Sequence, residues 1–161
     1  KVRTVRRVIR EKAFQSLFQL ATDIDCTVDE VIQFSLGSEL EFKEELTAEE
    51  AMQKVLPEDK NGTQIINDAL VYLNTLVTGV QENENEIDHT ISKHLKNWTL
   101  SRLERTNLLI LRLAAYELLY QKEIDKRVVM NEAIELTKDF NDEKASKFVN
   151  GVLQSIVNTQ S

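Results

Sequence analysis

Basic side chains suited to holding phosphate groups are concentrated at the start of this chain. Six of the twenty basic residues lie among the first twelve positions, beside a single acidic residue, so this stretch has a net charge of +5. The other 149 residues carry 14 basic and 26 acidic side chains, within a total charge of −7. Guanidinium and ammonium groups bind phosphate oxygens with little preference for base type. The distribution predicts an anionic partner, of which nucleic acid is the commonest.

The arginines are expected to form a surface on one helix. Because the first 21 residues contain no Gly or Pro, they predict a helix from Arg3 to about Ala21. At about 100° per residue, the arginines fall within about one third of its circumference. They are Arg3, Arg6, Arg7 and Arg10. The same face then becomes apolar, so the second half of the helix should pack in a core while the first turns project, with Arg10 open to either role.

Further basic residues lie near the end of the chain. Lys126-Arg127 precedes the penultimate helix, and Lys144 and Lys147 share one face of the last helix because they are three residues apart. Aromatic rings near such residues could stack unpaired bases, and Phe14 and Phe18 are candidates, although a Phe on a helix more often belongs to the core.

Other kinds of site are not indicated. His89 and His94 are five residues apart, about 140° around a helix, which does not suit one metal ion. Glu86 and His89 have the spacing of a di-iron motif, but that motif occurs once and two copies are needed. Cys26 has no second Cys or neighbouring basic residue to activate it, and the four glycines are scattered. We therefore expect no metal, no cofactor and no enzymatic activity.

Composition predicts an all-α fold in a single domain, residues 1–161. One proline and four glycines favour helices over strands and tight turns. The apolar periodicity indicates about seven helices in a compact bundle, with a central buried helix over 100–120. Residues 22–62 are read as a variable acidic helical excursion, in which Thr27–Glu30 and Thr47–Glu50 have the pattern of capping boxes. The lone Cys and the absence of a long apolar run favour a cytoplasmic protein with no membrane segment and no signal peptide.

Four sequence strings carry a resemblance to a known family. They are Arg6-Arg7 with REKAFQSLF at 10–18, ILRLAAYEL at 110–118, NEAIELTK at 131–138 and SKFVNGVL at 146–153. In this order and spacing, the chain resembles the NusB family of transcription antitermination factors over nearly its whole length, with little contribution from residues 22–62.

The resemblance implies an all-helical fold of two packed three-helix subdomains and a non-enzymatic role. It implies binding of single-stranded boxA leader RNA together with ribosomal protein NusE, within the transcribing RNA polymerase complex, in support of processive transcription of ribosomal RNA operons. The implied RNA-binding residues are Arg3, Arg6, Arg7, Arg10, Lys126, Arg127, Lys144, Lys147 and Phe148. The NusE-facing surface would include Phe18 and Asn107.

Some positions depart from the family pattern or invite a structural interpretation. Asp125 stands where a proline is common, so the loop with Lys126-Arg127 should be less constrained. Polar Asn131, Glu132 and Asn150 lie among apolar neighbours and are expected to be structural, with Glu132 or Glu117 pairing Arg10 or Arg112. Gly151 within a helix suggests a close helix–helix approach.

Two alternatives stay open. The chain could be a fragment of an RNA cytosine methyltransferase, since some of these enzymes carry a similar helical domain at the N-terminus. It could also be a purely structural helical adaptor, whose arginines form ion pairs with the acidic residues 21–60. Contacts between those arginines and carboxylates of the same chain would favour the adaptor.

Overall fold

The computed structural model describes residues 3–40 and 45–160, so Lys1 of the basic start and residues 41–44 of the acidic segment lie outside the described residues. Within these ranges the chain forms eight α-helices, two short 3₁₀ helices and no strand. The α-helices are α1 (Val5–Thr22), α2 (Val28–Gly37), α3 (Ala48–Val55), α4 (Thr63–Glu82), α5 (Glu84–Lys93), α6 (Arg105–Tyr120), α7 (Lys126–Phe140) and α8 (Glu143–Thr159). The 3₁₀ helices are Glu58–Lys60 and Leu100–Arg102. The all-α prediction is confirmed, with eight α-helices in these ranges where about seven were expected.

Both predicted capping boxes are present, and each begins a separate helix. The Thr27 hydroxyl accepts from the Glu30 N–H at 3.2 Å, while the Glu30 carboxylate accepts from the Thr27 N–H at 2.9 Å. Thr47 and Glu50 make the same reciprocal pair at 3.1 and 3.0 Å. Because the first N–H groups of a helix lack backbone partners, these side chains fix where α2 and α3 begin.

The chain divides into two compact units, residues 1–78 and 79–161, and α4 runs from the first into the second. In unit 1, α1 packs on α2 and α2 packs on α3. The core of this unit is formed by one apolar stripe from each helix, including Val8, Leu17, Leu36, Met52, Leu73 and Leu76. The buried residues of α1 lie between Val8 and Leu17, so burial begins earlier in the helix than the stripe predicts. Part of the first turn is exposed as expected, but Ala21, at the end of the half expected in the core, is exposed as well.

Unit 2 is organised around α6, which packs against α5, α7 and α8. Nine consecutive or nearly consecutive α6 residues between Leu109 and Leu118 are buried, so the predicted central helix is confirmed. It begins at Arg105, because residues 100–102 form a separate 3₁₀ turn. Within residues 3–40 and 45–160, every helix is too short or too polar to span a lipid bilayer.

A close helix approach occurs at a different glycine from the one expected. A side chain at Gly151 would meet nothing within 4 Å, so the interpretation of Gly151 as a packing contact is wrong. At Gly79, near the end of α4, the Tyr116 ring of α6 lies in the space that a Cβ would fill. Gly79 is therefore the position where the absence of a side chain permits contact within unit 2.

The polar residues of the four family-like sequence strings differ in their burial. Glu117 and Glu132 are buried, as expected of structural groups, whereas Asn131 and Asn150 are exposed. Arg112 is held by α5, because its guanidinium donates to Asp88 at 2.8 and 2.9 Å and lies 3.2 Å from the Glu84 carboxylate. The α5–α6 contact thus uses a local ion pair that the sequence pattern did not indicate.

Candidate nucleic-acid interface

The four arginines of the predicted stripe differ in burial and in their position relative to α1. Thr4 is the N-cap of α1, and its hydroxyl accepts from the Arg7 N–H at 3.1 Å. The helix therefore begins at Val5, and Arg3 lies before it rather than on its first turn. Arg6 is exposed and Arg7 is half-buried. These two place basic charge on the solvent side of the first turn.

Arg10 belongs to the packed part of unit 1. Its side chain is only 5% exposed, and Nη1 donates to the Arg6 carbonyl at 3.2 Å. The guanidinium carbon lies 5.9 Å from the centroid of the Tyr72 ring on α4, which is within cation–π range. These contacts favour the structural role of Arg10 over RNA binding, because they pack the side chain between α1 and α4.

Arg3 is bound by carboxylates of the same unit. Nη1 donates to Glu39 at 2.7 Å, and Nη2 donates to Glu11 at 2.7 Å and to Glu39 at 3.3 Å. The hydrogen bond to Glu39, despite partial burial, raises the pKa of Arg3 above its ordinary value. Burial opposes ionisation of Glu39, but the hydrogen bonds and charges of Arg3 and Lys12 outweigh it and lower the pKa of that carboxyl.

Lys12, the last basic residue of the first twelve, is unexpected because its side chain is fully buried. Its Nζ lies 2.7 Å from Glu39 and 3.2 Å from the Gln15 side-chain oxygen. One turn farther along α1, the Ser16 hydroxyl lies 3.2 Å from that of Ser35 on α2. Sequence reasoning counted Lys12 as surface charge. Its position four residues after Val8 and four before Ser16, on one face of α1, was the available signal.

Lys144, one of the two basic residues predicted on α8, borders a groove in unit 2. Lys144 and Lys147 are exposed, and Phe148 is half-buried. The groove has a volume of about 420 Å³, and its lining includes Lys144, Phe148, Asn107, Trp98 and Arg102. The structure therefore brings together two predicted RNA-binding residues and one predicted partner-binding residue. Asp142 caps α8 by accepting from the Ala145 N–H at 2.8 Å, which fixes Lys144 in the first turn.

Trp98 and Arg102 were missed by sequence reasoning. Trp98 is 52% exposed, and the preceding Asn97 has a φ of 64°, in the left-handed region. Such a backbone turn is unusual for a residue other than Gly. The signal in the sequence was the only tryptophan of the chain, placed between Lys96 and Arg102. Aromatic rings interleaved with basic residues are typical of surfaces that stack bases and hold phosphates.

The Lys126-Arg127 pair lies in the first turn of α7 and not in the loop before it, and the expectation that this loop is less constrained stays a prediction. Asp125 is the N-cap and accepts from the Arg127 N–H at 2.8 Å. The Arg127 guanidinium also donates to Asp125, at 2.9 and 3.3 Å. These hydrogen bonds lower the pKa of Asp125 and raise that of Arg127. Asp125 thus caps α7 and holds the Arg127 side chain beside the start of the helix.

The two residues predicted to face a protein partner lie in different units. Phe18 on α1 is 37% exposed, and its ring lies 6.1 Å from that of Phe14 in unit 1. Asn107 on α6 is half-buried and accepts from Asn141 at 3.1 Å in unit 2. Their use by one partner stays a prediction.

No group of three or more potential metal-binding side chains comes together in the part of the chain that the structure describes. The groove of unit 2 instead combines the basic Lys144 and Arg102 with the aromatic Trp98 and Phe148, and its lining also includes the acidic Glu104 and Asp142. These side chains place the molecule in a class of all-helical proteins whose surface chemistry suits an anionic ligand that carries planar bases.

Comparison with known proteins is consistent with this class. The model of the NusB family matches residues 7–158. Transcription antitermination protein NusB of Bacillus subtilis is 42% identical over 151 residues, covering 94% of this chain and 93% of that protein. The chain belongs to the NusB family. The expectation of a non-enzymatic protein is confirmed by the names of the family and its members.

Two solved structures have the same fold. NusB of T. maritima is 31% identical, with a TM-score of 0.70, and the match covers 99% of this chain and 94% of that one. A crystal structure of the antitermination factors NusB and NusE in complex with double-stranded RNA contains a chain that is 28% identical, with a TM-score of 0.72. That match covers 97% of this chain and 98% of the other.

Proposed function

We propose that this protein is an RNA-binding transcription antitermination factor. It binds boxA-type leader RNA together with ribosomal protein NusE, joins the transcribing RNA polymerase and supports processive transcription of ribosomal RNA operons. The support is family membership, the antitermination proteins among its relatives, and a similar structure that contains NusB, NusE and RNA. Such a factor works in the bacterial cytoplasm, where transcription takes place. The family match over residues 7–158 supports treating residues 1–161 as one NusB-like domain.

The observation that carries the proposal is the groove of unit 2, which combines Lys144 with the rings of Trp98 and Phe148. An ammonium group at its rim can hold a phosphate, while the rings offer flat apolar surfaces for unpaired bases. A ligand in which negatively charged groups alternate with planar rings fits this combination, and single-stranded RNA is such a ligand. We assign base contacts to Trp98 and Phe148 and phosphate contacts to Lys144 and Lys147.

Unit 1 contributes further phosphate contacts through α1. Arg6 is exposed, and Arg7 is half-buried on the same turn. The Arg10 side chain is only 5% exposed, so we assign it to the packing of α1 and not to phosphate binding. Lys126 and Arg127 are exposed at the start of α7, with Arg127 already paired to Asp125. We rank these two below the α1 and α8 residues. NusE is assigned to the surface that includes Phe18 and Asn107.

Titration of labelled RNA against the protein at several salt concentrations tests this function. The probes are a single-stranded boxA-like RNA, a scrambled RNA of equal length and a double-stranded version, each with and without NusE. If about four phosphates are neutralised, the plot of log affinity against log salt should have a slope near about −3 for a single strand. Preference for the boxA-like strand supports the proposal. A slope near zero, or equal binding of all three probes, contradicts it.

The purely structural adaptor is the second candidate, and one observation favours it. Arg3 pairs with Glu39 of the acidic segment, as that alternative predicts for the arginines. Arg6 differs, because the described residues provide it with no carboxylate partner. If no probe binds, even with NusE present, the adaptor is the better description. The family match and the relatives named above are antitermination proteins, and they give no support to the methyltransferase alternative.

A further inference from the structure

Arg3 is held by two carboxylates in the way that an arginine holds a phosphate. Its two terminal nitrogens make three hydrogen bonds to the side chains of Glu11 and Glu39, two of them at 2.7 Å. Charge-assisted bonds of this length with fork geometry are among the stronger polar contacts in proteins. About one third of the Arg3 side chain remains exposed, while its Nε is buried and has no hydrogen-bond partner among the described residues.

The carboxylates of this arrangement are themselves held in place. Glu11 lies on α1 and its side chain is 16% exposed. Glu39 follows α2, and it is bound by the fully buried ammonium of Lys12 at 2.7 Å. A buried ammonium needs its counter-charge, so Glu39 cannot follow Arg3 if Arg3 leaves. Arg3 is the member of this group that can move.

We propose that Glu11 and Glu39 form an acidic clamp that competes with RNA phosphate for Arg3. RNA would recruit Arg3 only by displacing the carboxylates, so the clamp reduces the binding of weakly held polyanions to the start of α1. This inference rests on the proposed RNA-binding function and adds regulation to it.

The charge balance explains what the clamp changes. Arg3 and Lys12 carry two positive charges, and Glu11 and Glu39 carry two negative charges, so the group is neutral. The basic start of the chain therefore presents less positive charge to an approaching polyanion than its composition suggests. Non-specific RNA binding depends on the number of phosphates neutralised, whereas specific binding adds base contacts that can offset the displacement.

A double-mutant cycle on Arg3 and Glu11 tests the clamp, with residues 1–161 and the scrambled single-stranded RNA as the non-specific probe. Glu11 is chosen because its described polar contact is with Arg3, whereas Glu39 also holds Lys12. Arg3→Ala alone should change the dissociation constant by less than about twofold, since a clamped guanidinium contributes little. Glu11→Gln should tighten binding about threefold and steepen the salt slope by about 0.7, because one more phosphate contact forms. The double variant should return to the affinity of Arg3→Ala.

Asp29→Asn is the matched control, because it removes the same charge from an exposed position on α2. It should change RNA affinity less than Glu11→Gln does. Far-ultraviolet circular dichroism and the thermal midpoint establish that each variant is folded, and Glu39→Gln provides a second release of Arg3 measured in the same way.

Four results separate the possibilities. Weakened binding and a shallower slope in Arg3→Ala alone would overturn the clamp, because Arg3 would already contact phosphate. Equal tightening by Glu11→Gln with and without Arg3 would also overturn it, as a general effect of charge. If the unchanged protein binds RNA but all variants behave alike, the clamp is wrong and the function stands. If the unchanged protein binds no RNA with or without NusE, both are wrong.

Discussion

The ring of Tyr116 on α6 occupies the space beside Gly79 that any other residue would fill with its side chain. Gly79→Ala should therefore destabilise unit 2 by about 1–3 kcal/mol, because the added methyl group displaces a buried ring. Urea unfolding followed by circular dichroism measures the free energy of unfolding. A variant as stable as the unchanged protein would show that the ring moves aside at no cost.

Gly151→Ala, also within an α-helix, is expected to change the stability in the opposite direction. Gly151 is exposed within α8, and nothing lies within 4 Å of an added Cβ. The substitution should stabilise the free protein by about 1 kcal/mol, since Gly costs about that much relative to Ala in a helix. The same urea experiment checks it. Destabilisation would mean that a close contact exists at Gly151 after all.

The Lys12–Glu39 pair should make stability depend on pH in the acid range. Glu39 has a lowered pKa in the folded protein, so its contribution is complete above the ordinary carboxyl range, near about pH 5. That contribution is lost as pH falls through the depressed folded value. Glu39→Gln should cost about 2 kcal/mol at neutral pH, a value reduced from that of a fully buried pair because Glu39 is partly exposed.

The measurement for Glu39 is the difference in unfolding free energy between the two proteins from neutral to acid pH. This difference should shrink as pH falls, whereas contributions from other carboxylates, such as Glu30 and Glu50, cancel in it. A difference that stays constant down to the lowest pH would show that the charge of Glu39 is not what stabilises the fold.

Trp98→Ala should weaken binding of single-stranded RNA about tenfold, because stacking of one base on an aromatic ring is worth about 1–3 kcal/mol. The salt slope should not change, since no charge is removed. Phe34→Ala is the control, as Phe34 is an exposed aromatic residue of unit 1, outside the groove. Equal losses in both variants would remove the special role of the groove.

Lys144→Ala should weaken RNA binding and make the salt slope shallower by about 0.7, because one phosphate contact is lost. Lys60→Ala removes the same charge from an exposed position in unit 1 and should leave the slope nearly unchanged. Filter-binding titrations over a range of salt concentrations measure both. If the Lys144 variant keeps the slope of the unchanged protein, Lys144 does not contact phosphate.

Local patterns in the sequence were enough to predict the helices. The Thr27–Glu30 and Thr47–Glu50 boxes involve neighbours three residues apart, and both occur as expected. The central helix was also recognised, because apolar residues surround nearly its whole circumference. Short-range spacing and hydrophobicity determine these features, so no knowledge of distant contacts was required.

The partners of the charged residues were harder to predict. Glu39 lies 27 residues from Lys12 and 36 from Arg3, in a segment that the composition presented as solvated. Lys12 was counted with the surface charge, because a lysine is rarely buried without a partner and that partner was not visible locally. Gly79 and Gly151 show the same limit. A glycine within a helix pattern does not show whether a side chain of another helix packs against it.

Trp98 is the sole tryptophan of the chain, and it stands half-exposed at the rim of the groove. Its intrinsic fluorescence therefore comes from one known place in the molecule. The protein carries its own optical reporter, with which occupancy of the groove can be followed in real time without any attached dye.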